Sequence, residues 1–222
     1  MLQRVKYKMD IKYINRANAN IEIEHPPAEE ILNFLYYNPF GAKAILPLAK
    51  HKFITEWYGE IMDSSSSIDR IQPFIDSFNI DMSEAIKKVN EFKSFNDFFY
   101  RRLKSDARKI SHGLISPGDG KILAFQNVSQ VKCFYVKGRK FTLREFLNDD
   151  GLAEKYNNAS MIILRLAPHD YHRYHFPFKG IPSKSKKIEG TYYSVSPIAL
   201  KSHFTKVFHE NKKEICTLTT EK

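Results

Sequence analysis

The sequence predicts an α+β protein in which amphipathic helices precede an antiparallel β core. Between residues 28 and 104, apolar side chains recur at helical spacing. After residue 105, short apolar or alternating runs stand between Gly, Pro and Asn turn signals. The chain has 222 residues, of which 42% are hydrophobic, enough for a sizeable core. We therefore divide the chain into two regions, 1–104 and 105–222.

The N-terminal region opens with one or two predicted short strands, because the segments "IKYI" (11–14) and "IEIE" (21–24) alternate apolar and polar residues. Pro26 and Pro27 then suit the first turn of a helix, and the acidic residues that follow suit the positive end of its dipole. The first helix is therefore expected to begin next to this proline pair.

Several short helices are predicted between residues 28 and 104, because Pro39, Gly41 and Pro47 interrupt the apolar pattern. Ser83 and Ser94 are predicted N-caps. One apolar helix face is predicted to comprise Ile68, Ile71, Phe74, Ile75 and Phe78.

The second region is predicted to contain strands within five segments, with one helix that Thr142 caps. These segments are 113–128, 131–143, 159–167, 185–195 and 213–221. Two distant cysteines, Cys133 and Cys216, argue against a disulfide framework or a thiolate zinc site.

A formal net charge of +10 favours an anionic partner, either lipid or nucleic acid, although a lysine-rich surface that only aids solubility is an alternative. No recognised nucleic-acid-binding pattern occurs, so we expect no nucleic-acid partner. The sequence has no apolar run of membrane-spanning length and no signal-peptide core, so membrane contact is expected to be peripheral. Basic residues surround the aromatic ones in the helical region: Lys43, Lys50, Lys52, Arg101 and Arg102.

The segment "LRLAPHDYHRYHFPF" (164–178) contains His169, His172 and His175 at three-residue spacing. Residues three apart on a strand point to opposite faces, and the flanking prolines disfavour a helix, so we expect no metal site. Acid–base chemistry needs no fixed spacing, only a carboxylate to orient one ring. Asp119, between two glycines in "SPGDGKI", is a candidate carboxylate, although Asp-Gly is also common in plain turns.

Five segments in the same order resemble the pyruvoyl-dependent, bacterial-type phosphatidylserine decarboxylase family. The resemblance extends from about residue 10 to the end of the chain. The five segments are "FKSFNDFFYRRLK", "ISPGDGKI", "LRLAPHDYHRYHFPFKG", "IEGTYYSVSPIAL" and "FHENKKEI".

The resemblance implies a proenzyme that cuts itself at a Gly-Ser bond and converts the serine into a pyruvoyl cofactor. Such an enzyme decarboxylates phosphatidylserine to phosphatidylethanolamine. By motif position, Asp119 would orient His175, and His175 would be the base for self-cleavage. His172 would face the substrate, either positioning its carboxylate or handling a proton, and His169 matches no functional position.

None of the nine glycines precedes a serine, so the processing serine is absent from this chain. The chain resembles most of a β chain, and we expect it to be inactive without the C-terminal α-chain portion. A shortened chain, an interrupted gene and a split enzyme are all open explanations. The resemblance also implies phosphatidylserine in an anionic membrane as partner, peripheral attachment at the cytoplasmic face through residues 28–64, and leaves a homodimer open. A degenerate, non-enzymatic relative that binds anionic lipid is the alternative function.

Overall fold

The computed structural model describes residues 10–128 and 142–221, and its helices and strands confirm the predicted α+β class. The N-terminal elements are β1 (Ile11–Ile14), β2 (Ile21–Glu24), α1 (Glu29–Tyr37), α2 (Leu46–Ala49), α3 (Lys52–Asp63), α4 (Ile71–Phe78) and α5 (Phe95–Phe99). The later ones are β3 (Lys121–Phe125), α6 (Leu143–Leu147), α7 (Asp150–Lys155), β4 (Met161–Arg165), β5 (Ile181–Pro182), β6 (Lys186–Ile188), α8 (Pro197–Glu210), β7 (Lys213–Ile215) and β8 (Leu218–Thr219).

All strand pairs in the described residues are antiparallel, as predicted, and each forms a two-stranded sheet. The pairs are β1–β2, β3–β4, β5–β8 and β6–β7. In the β3–β4 pair, Lys121 faces Arg165 and Phe125 faces Met161. Most of the strand predicted over 131–143, including Cys133, lies outside the described residues.

The predicted breaks do divide the N-terminal region into short helices. Helix α1 ends before Pro39, and a π-helical turn (Gly41–Ile45) precedes α2. A Cβ on Gly41 would lie 2.2 Å from the carbonyl oxygen of Phe34, so only glycine allows this close approach. None of the described helices is long and apolar enough to cross a bilayer.

Two of the three predicted N-caps are confirmed. The hydroxyl of Ser94 accepts a hydrogen bond from the Asp97 N–H at 3.1 Å, and that of Thr142 accepts one from the Glu145 N–H at 3.2 Å. The prediction for Ser83 was wrong. Ser83 lies inside a 3₁₀ turn (Met82–Glu84), and Asp81 caps that turn by accepting a hydrogen bond from the Ser83 N–H. The turn ends at Ala85, which leaves the helical conformation.

The predicted apolar face is confirmed for Ile71 and Ile75 of α4 but wrong for Ile68, which lies before α4 in a 3₁₀ turn (Ser65–Arg70) and is 38% exposed. Ile71 and Ile75 are buried against Phe92 and Phe98. A second buried cluster joins the N-terminal helices to α8 through Tyr36, Leu46, Tyr193, Ile198, Ala199 and Val207.

Helix α8 was not predicted. Its helical periodicity is interrupted at His203, where φ is −136° and ψ is 31°. The usable signal was the pair Ser196-Pro197, because the Ser196 hydroxyl caps the helix and proline occupies its first turn.

Two of the five basic residues that surround the aromatic ones in the helical region are not exposed. The Lys50 ammonium donates to the Tyr193 hydroxyl at 2.9 Å, and Arg101 is only 7% exposed. Lys50 is therefore half-buried and Arg101 buried, whereas Lys43, Lys52 and Arg102 are exposed.

Candidate active site

The β3–β4 ladder brings the two motif segments together. The turn at 116–120 leads into β3, and the histidine segment follows β4, so antiparallel pairing places both at the same end of the ladder. The His175 N–H donates to the Pro117 carbonyl at 2.9 Å, and the Ile115 N–H donates to the Pro177 carbonyl at 2.9 Å. The backbone around His175 is therefore fixed against the turn that contains Asp119.

The turn itself requires glycine at residue 120. Gly120 has a φ of 146°, and a Cβ there would lie 2.7 Å from the Arg165 carbonyl oxygen. Any other side chain would separate the turn from the end of β4.

Asp119 forms a two-point ion pair with Arg108. The guanidinium Nε lies 3.0 Å from each carboxylate oxygen, and Nη2 lies 2.7 Å from Oδ2. Arg108 also donates from Nη1 to Glu84 at 2.9 Å. These hydrogen bonds, the one to Asp119 foremost, raise the pKa of Arg108. Sequence reasoning missed Arg108 and Glu84, since no local pattern marks them.

Asp119 thus lies in the turn to which the His175 backbone is hydrogen-bonded, but the two side chains are not hydrogen-bonded to each other in this structure. The Nε2 atom of His175 is buried and has no hydrogen-bond partner among the described residues. Leaving such an atom unpaired costs about 1–3 kcal/mol. His175 therefore presents an unused nitrogen that a further group can satisfy, and its orientation by Asp119 remains a prediction.

His172 occupies a more enclosed position. Its ring stacks on Phe99 with centroids 4.0 Å apart, and its Nε2 lies 3.1 Å from the Ala167 carbonyl oxygen. Because a carbonyl only accepts, Nε2 carries the proton in this arrangement. Burial lowers the pKa of His172 below its ordinary value of 6.5, so the ring is neutral at pH 7.

His169 faces a third environment. Its ring stacks on Phe78 with centroids 5.1 Å apart, and its Nε2 lies 3.8 Å from the Asp170 carboxylate. The rings of His169 and His172 therefore contact different residues, whereas Nε2 of His175 and Nδ1 of His169 are buried without a hydrogen-bond partner among the described residues. Within 10–128 and 142–221, no group of three His, Cys, Asp or Glu side chains is placed to hold a metal ion.

A neutral buried imidazole, an unpartnered imidazole and an ion-paired carboxylate at one end of a ladder are the elements of an acid–base enzyme site. In comparison with known families, residues 95–222, which include all three predicted site residues, match the model of the phosphatidylserine decarboxylase family.

Curated relatives extend the match to most of the chain. A phosphatidylserine decarboxylase proenzyme of Fusobacterium nucleatum is 50% identical over 215 residues, which cover 96% of this chain and 71% of the relative. Proenzymes of the same name from Clostridium beijerinckii and Clostridium tetani are 45% and 46% identical over 207 residues, 92% of this chain and 70% and 69% of theirs. The chain belongs to the phosphatidylserine decarboxylase family, an enzyme family of carbon–carbon lyases. This confirms the resemblance drawn from the five sequence segments.

Proposed function

We propose that this chain is the larger part of a self-processing phosphatidylserine decarboxylase, which converts phosphatidylserine to phosphatidylethanolamine and carbon dioxide. The observation that carries the proposal is the buried, unpartnered Nε2 of His175 beside the Asp119 turn. A base that must take the proton of a serine hydroxyl needs such a free nitrogen. The serine belongs to the C-terminal α-chain portion, and this chain by itself is inactive.

The buried, unpartnered Nε2 of His175 fits the base that would form a pyruvoyl group from a serine. That group would supply a ketone able to condense with the substrate amine and to take up the electron pair that carbon dioxide leaves behind. During processing, His175 accepts the hydroxyl proton at Nε2, and the Asp119 turn fixes its backbone. His172 stays neutral, so it does not stabilise the charged carboxylate over uncharged carbon dioxide.

Membrane docking through a helical surface belongs to the same proposal. The helical surface consists of large apolar residues that are at least half exposed, between the end of α1 and the middle of α3: Phe40, Leu48, Phe53, Trp57 and Tyr58. Lys43 and Lys52 are exposed beside them. Apolar insertion together with about 1 kcal/mol per basic residue near an anionic surface would hold the chain peripherally at the cytoplasmic face.

Processing is tested by extending this chain at its C-terminus with the part of the Fusobacterium nucleatum relative that it does not cover. We expect mass spectrometry to show two chains, one with a blocked N-terminus, and carbon dioxide release from phosphatidylserine. His175→Ala should stay uncut, whereas the matched control His169→Ala should be cut normally. Cleavage of the His175→Ala protein would refute the assigned base.

Membrane docking is tested by flotation of the present chain with phosphatidylcholine vesicles, with or without phosphatidylserine. We expect flotation only with the anionic vesicles, and a loss of at least fivefold in the Phe53→Ser/Trp57→Ser variant. Ile21→Ser is the matched control, since Ile21 is 71% exposed on the β1–β2 hairpin. Equal flotation of all three proteins would contradict the assigned surface.

The alternative is a non-enzymatic relative that binds anionic lipid through the same helical surface, and it predicts the opposite result for activity. A lipid-binding relative would float with anionic vesicles, yet the extended chain would neither cut itself nor release carbon dioxide. The two experiments together therefore separate the candidate functions.

A further inference from the structure

Arg101 is a buried cation whose hydrogen bonds are unmet. The residue is 7% exposed, and its guanidinium Nε is fully enclosed without a partner among the described residues. No carboxylate in the described parts of the chain pairs with it. Buried arginines are ordinarily paired with an anion or hydrogen-bonded, so this one calls for a ligand.

Packing explains how Arg101 is held, but not what it binds. Its guanidinium carbon lies 5.0 Å from the centre of the Phe98 ring, and its backbone N–H donates to the Phe98 carbonyl at 3.0 Å. A cation over an aromatic ring is attracted by the negative face of the ring. That contact does not satisfy the N–H donors of the guanidinium, and Nε is left without an acceptor among the described residues.

The nearest acids are already engaged. Glu84 and Asp119 favour the charged form of Arg101 electrostatically, yet both carboxylates are hydrogen-bonded to Arg108. They balance the charge of Arg101 from a distance and leave its donors unused. The guanidinium of Arg101 is therefore a buried cationic group whose Nε–H has no acceptor among the described residues.

The Arg101 guanidinium lies beside the predicted site. Phe99, two residues before Arg101, stacks on His172, and Arg101 interacts electrostatically with both His172 and Asp119. We propose that Arg101 binds the phosphodiester of the phospholipid headgroup and positions the substrate beside His172. This inference rests on the proposed function and adds a binding residue to it.

A phosphodiester suits Arg101 better than the other anion of the headgroup, the carboxylate. The carboxylate loses its charge as carbon dioxide leaves, so a cation holding it would stabilise the ground state more than the transition state. The phosphodiester keeps its charge throughout, and its two oxygens match a guanidinium fork. Binding there lowers KM without opposing the chemical step.

The test uses the present chain and the NMR signal of the arginine Nε–H groups. Arg101→Lys removes one signal and thereby assigns it in the wild-type protein. Glycerophosphoserine and glycerophosphoethanolamine should both shift the Arg101 signal saturably with similar Kd, whereas L-serine should not. Arg101→Lys should weaken binding of both diesters at least fivefold, and the matched control Arg102→Lys, at an exposed position, should not change it.

Three results would overturn the inference. A shift caused equally by L-serine would assign the carboxylate instead, and no shift with either diester would exclude headgroup binding. An Arg101 signal that ignores both diesters in the extended, processed protein would show that an acid of the α-chain portion pairs with Arg101. Because none of these titrations requires decarboxylation, they stand or fall separately from the proposed activity.

Discussion

The ion pair between Glu24 and Arg165 fastens the N-terminal hairpin to the strand that leads into the histidine segment. Its N–O distance is 2.5 Å, and the side chains are only 5% and 14% exposed. Lys121 lies 3.9 Å from the same carboxylate. Glu24→Gln would therefore leave two largely buried cations without an anion.

Removing one member of a buried ion pair costs about 3–5 kcal/mol. Because Lys121 keeps 20% side-chain exposure and water can reach it, we expect the lower end, about 3 kcal/mol. For a chain of this size that corresponds to a melting temperature lower by about 6–12 °C. Urea and thermal unfolding followed by far-UV circular dichroism measure both quantities.

Two variants sharpen this test. Glu56→Gln removes an exposed pair with Lys52, at 59% and 56% side-chain exposure, and should leave the free energy of unfolding almost unchanged. Glu24→Gln/Arg165→Met removes both buried charges and should be more stable than Glu24→Gln alone. If Glu24→Gln cost no more than Glu56→Gln, the buried pair would not hold the hairpin and the reasoning would be refuted.

Three further predictions concern single groups. NMR titration should place the pKa of His172 below 6.5. As the pH falls, the His172 ring of the unfolded chain takes up its proton before the ring of the folded chain does. The contribution of His172 to stability should therefore be full above pH 6.5 and decline as the pH falls toward the folded pKa. Arg108→Gln breaks the partly exposed ion pairs with Glu84 and Asp119 and should lower the free energy of unfolding by about 1–2 kcal/mol. Arg144→Gln, at an exposed pair with Asp150, should lower it by only about 0–0.5 kcal/mol. Equal losses in the two variants would contradict this. Tyr13 should ionise with a pKa of about 12 because its hydroxyl donates to Glu22, and Glu22→Gln should bring that pKa down in a difference titration against Tyr13→Phe.

The features predicted correctly are those that a few neighbouring residues decide. The caps at Ser94 and Thr142 each involve a hydroxyl and an N–H three positions away, and the two hairpin strands follow from alternation alone. Ser83 failed by the same reasoning, because Asp81 offered a competing acceptor two positions earlier. Helix α8 was missed because a kink disrupts the periodicity on which helix prediction depends.

The sequence likewise predicted only part of the candidate site. The order of the five motif segments was enough to assign the family and to single out Asp119, His172 and His175. It carried no information on what each side chain contacts. The partner of Asp119 is Arg108, and Phe99, which stacks on His172, comes from an element far away in the chain.

Sequence alone therefore determined the fold class, the family and the segments that meet at the site, because those depend on local pattern and on the order of motifs. Only the tertiary structure decided which cations are free. In the sequence, Lys50 and Arg101 belong to one set of basic residues around the aromatic ones. In the structure, Lys50 is hydrogen-bonded to the Tyr193 hydroxyl, whereas Arg101 is buried over Phe98 and its Nε–H has no acceptor among the described residues. The reason is physical: the cost of burying a charge is set by the groups that surround it in space, and those groups come from both ends of the chain.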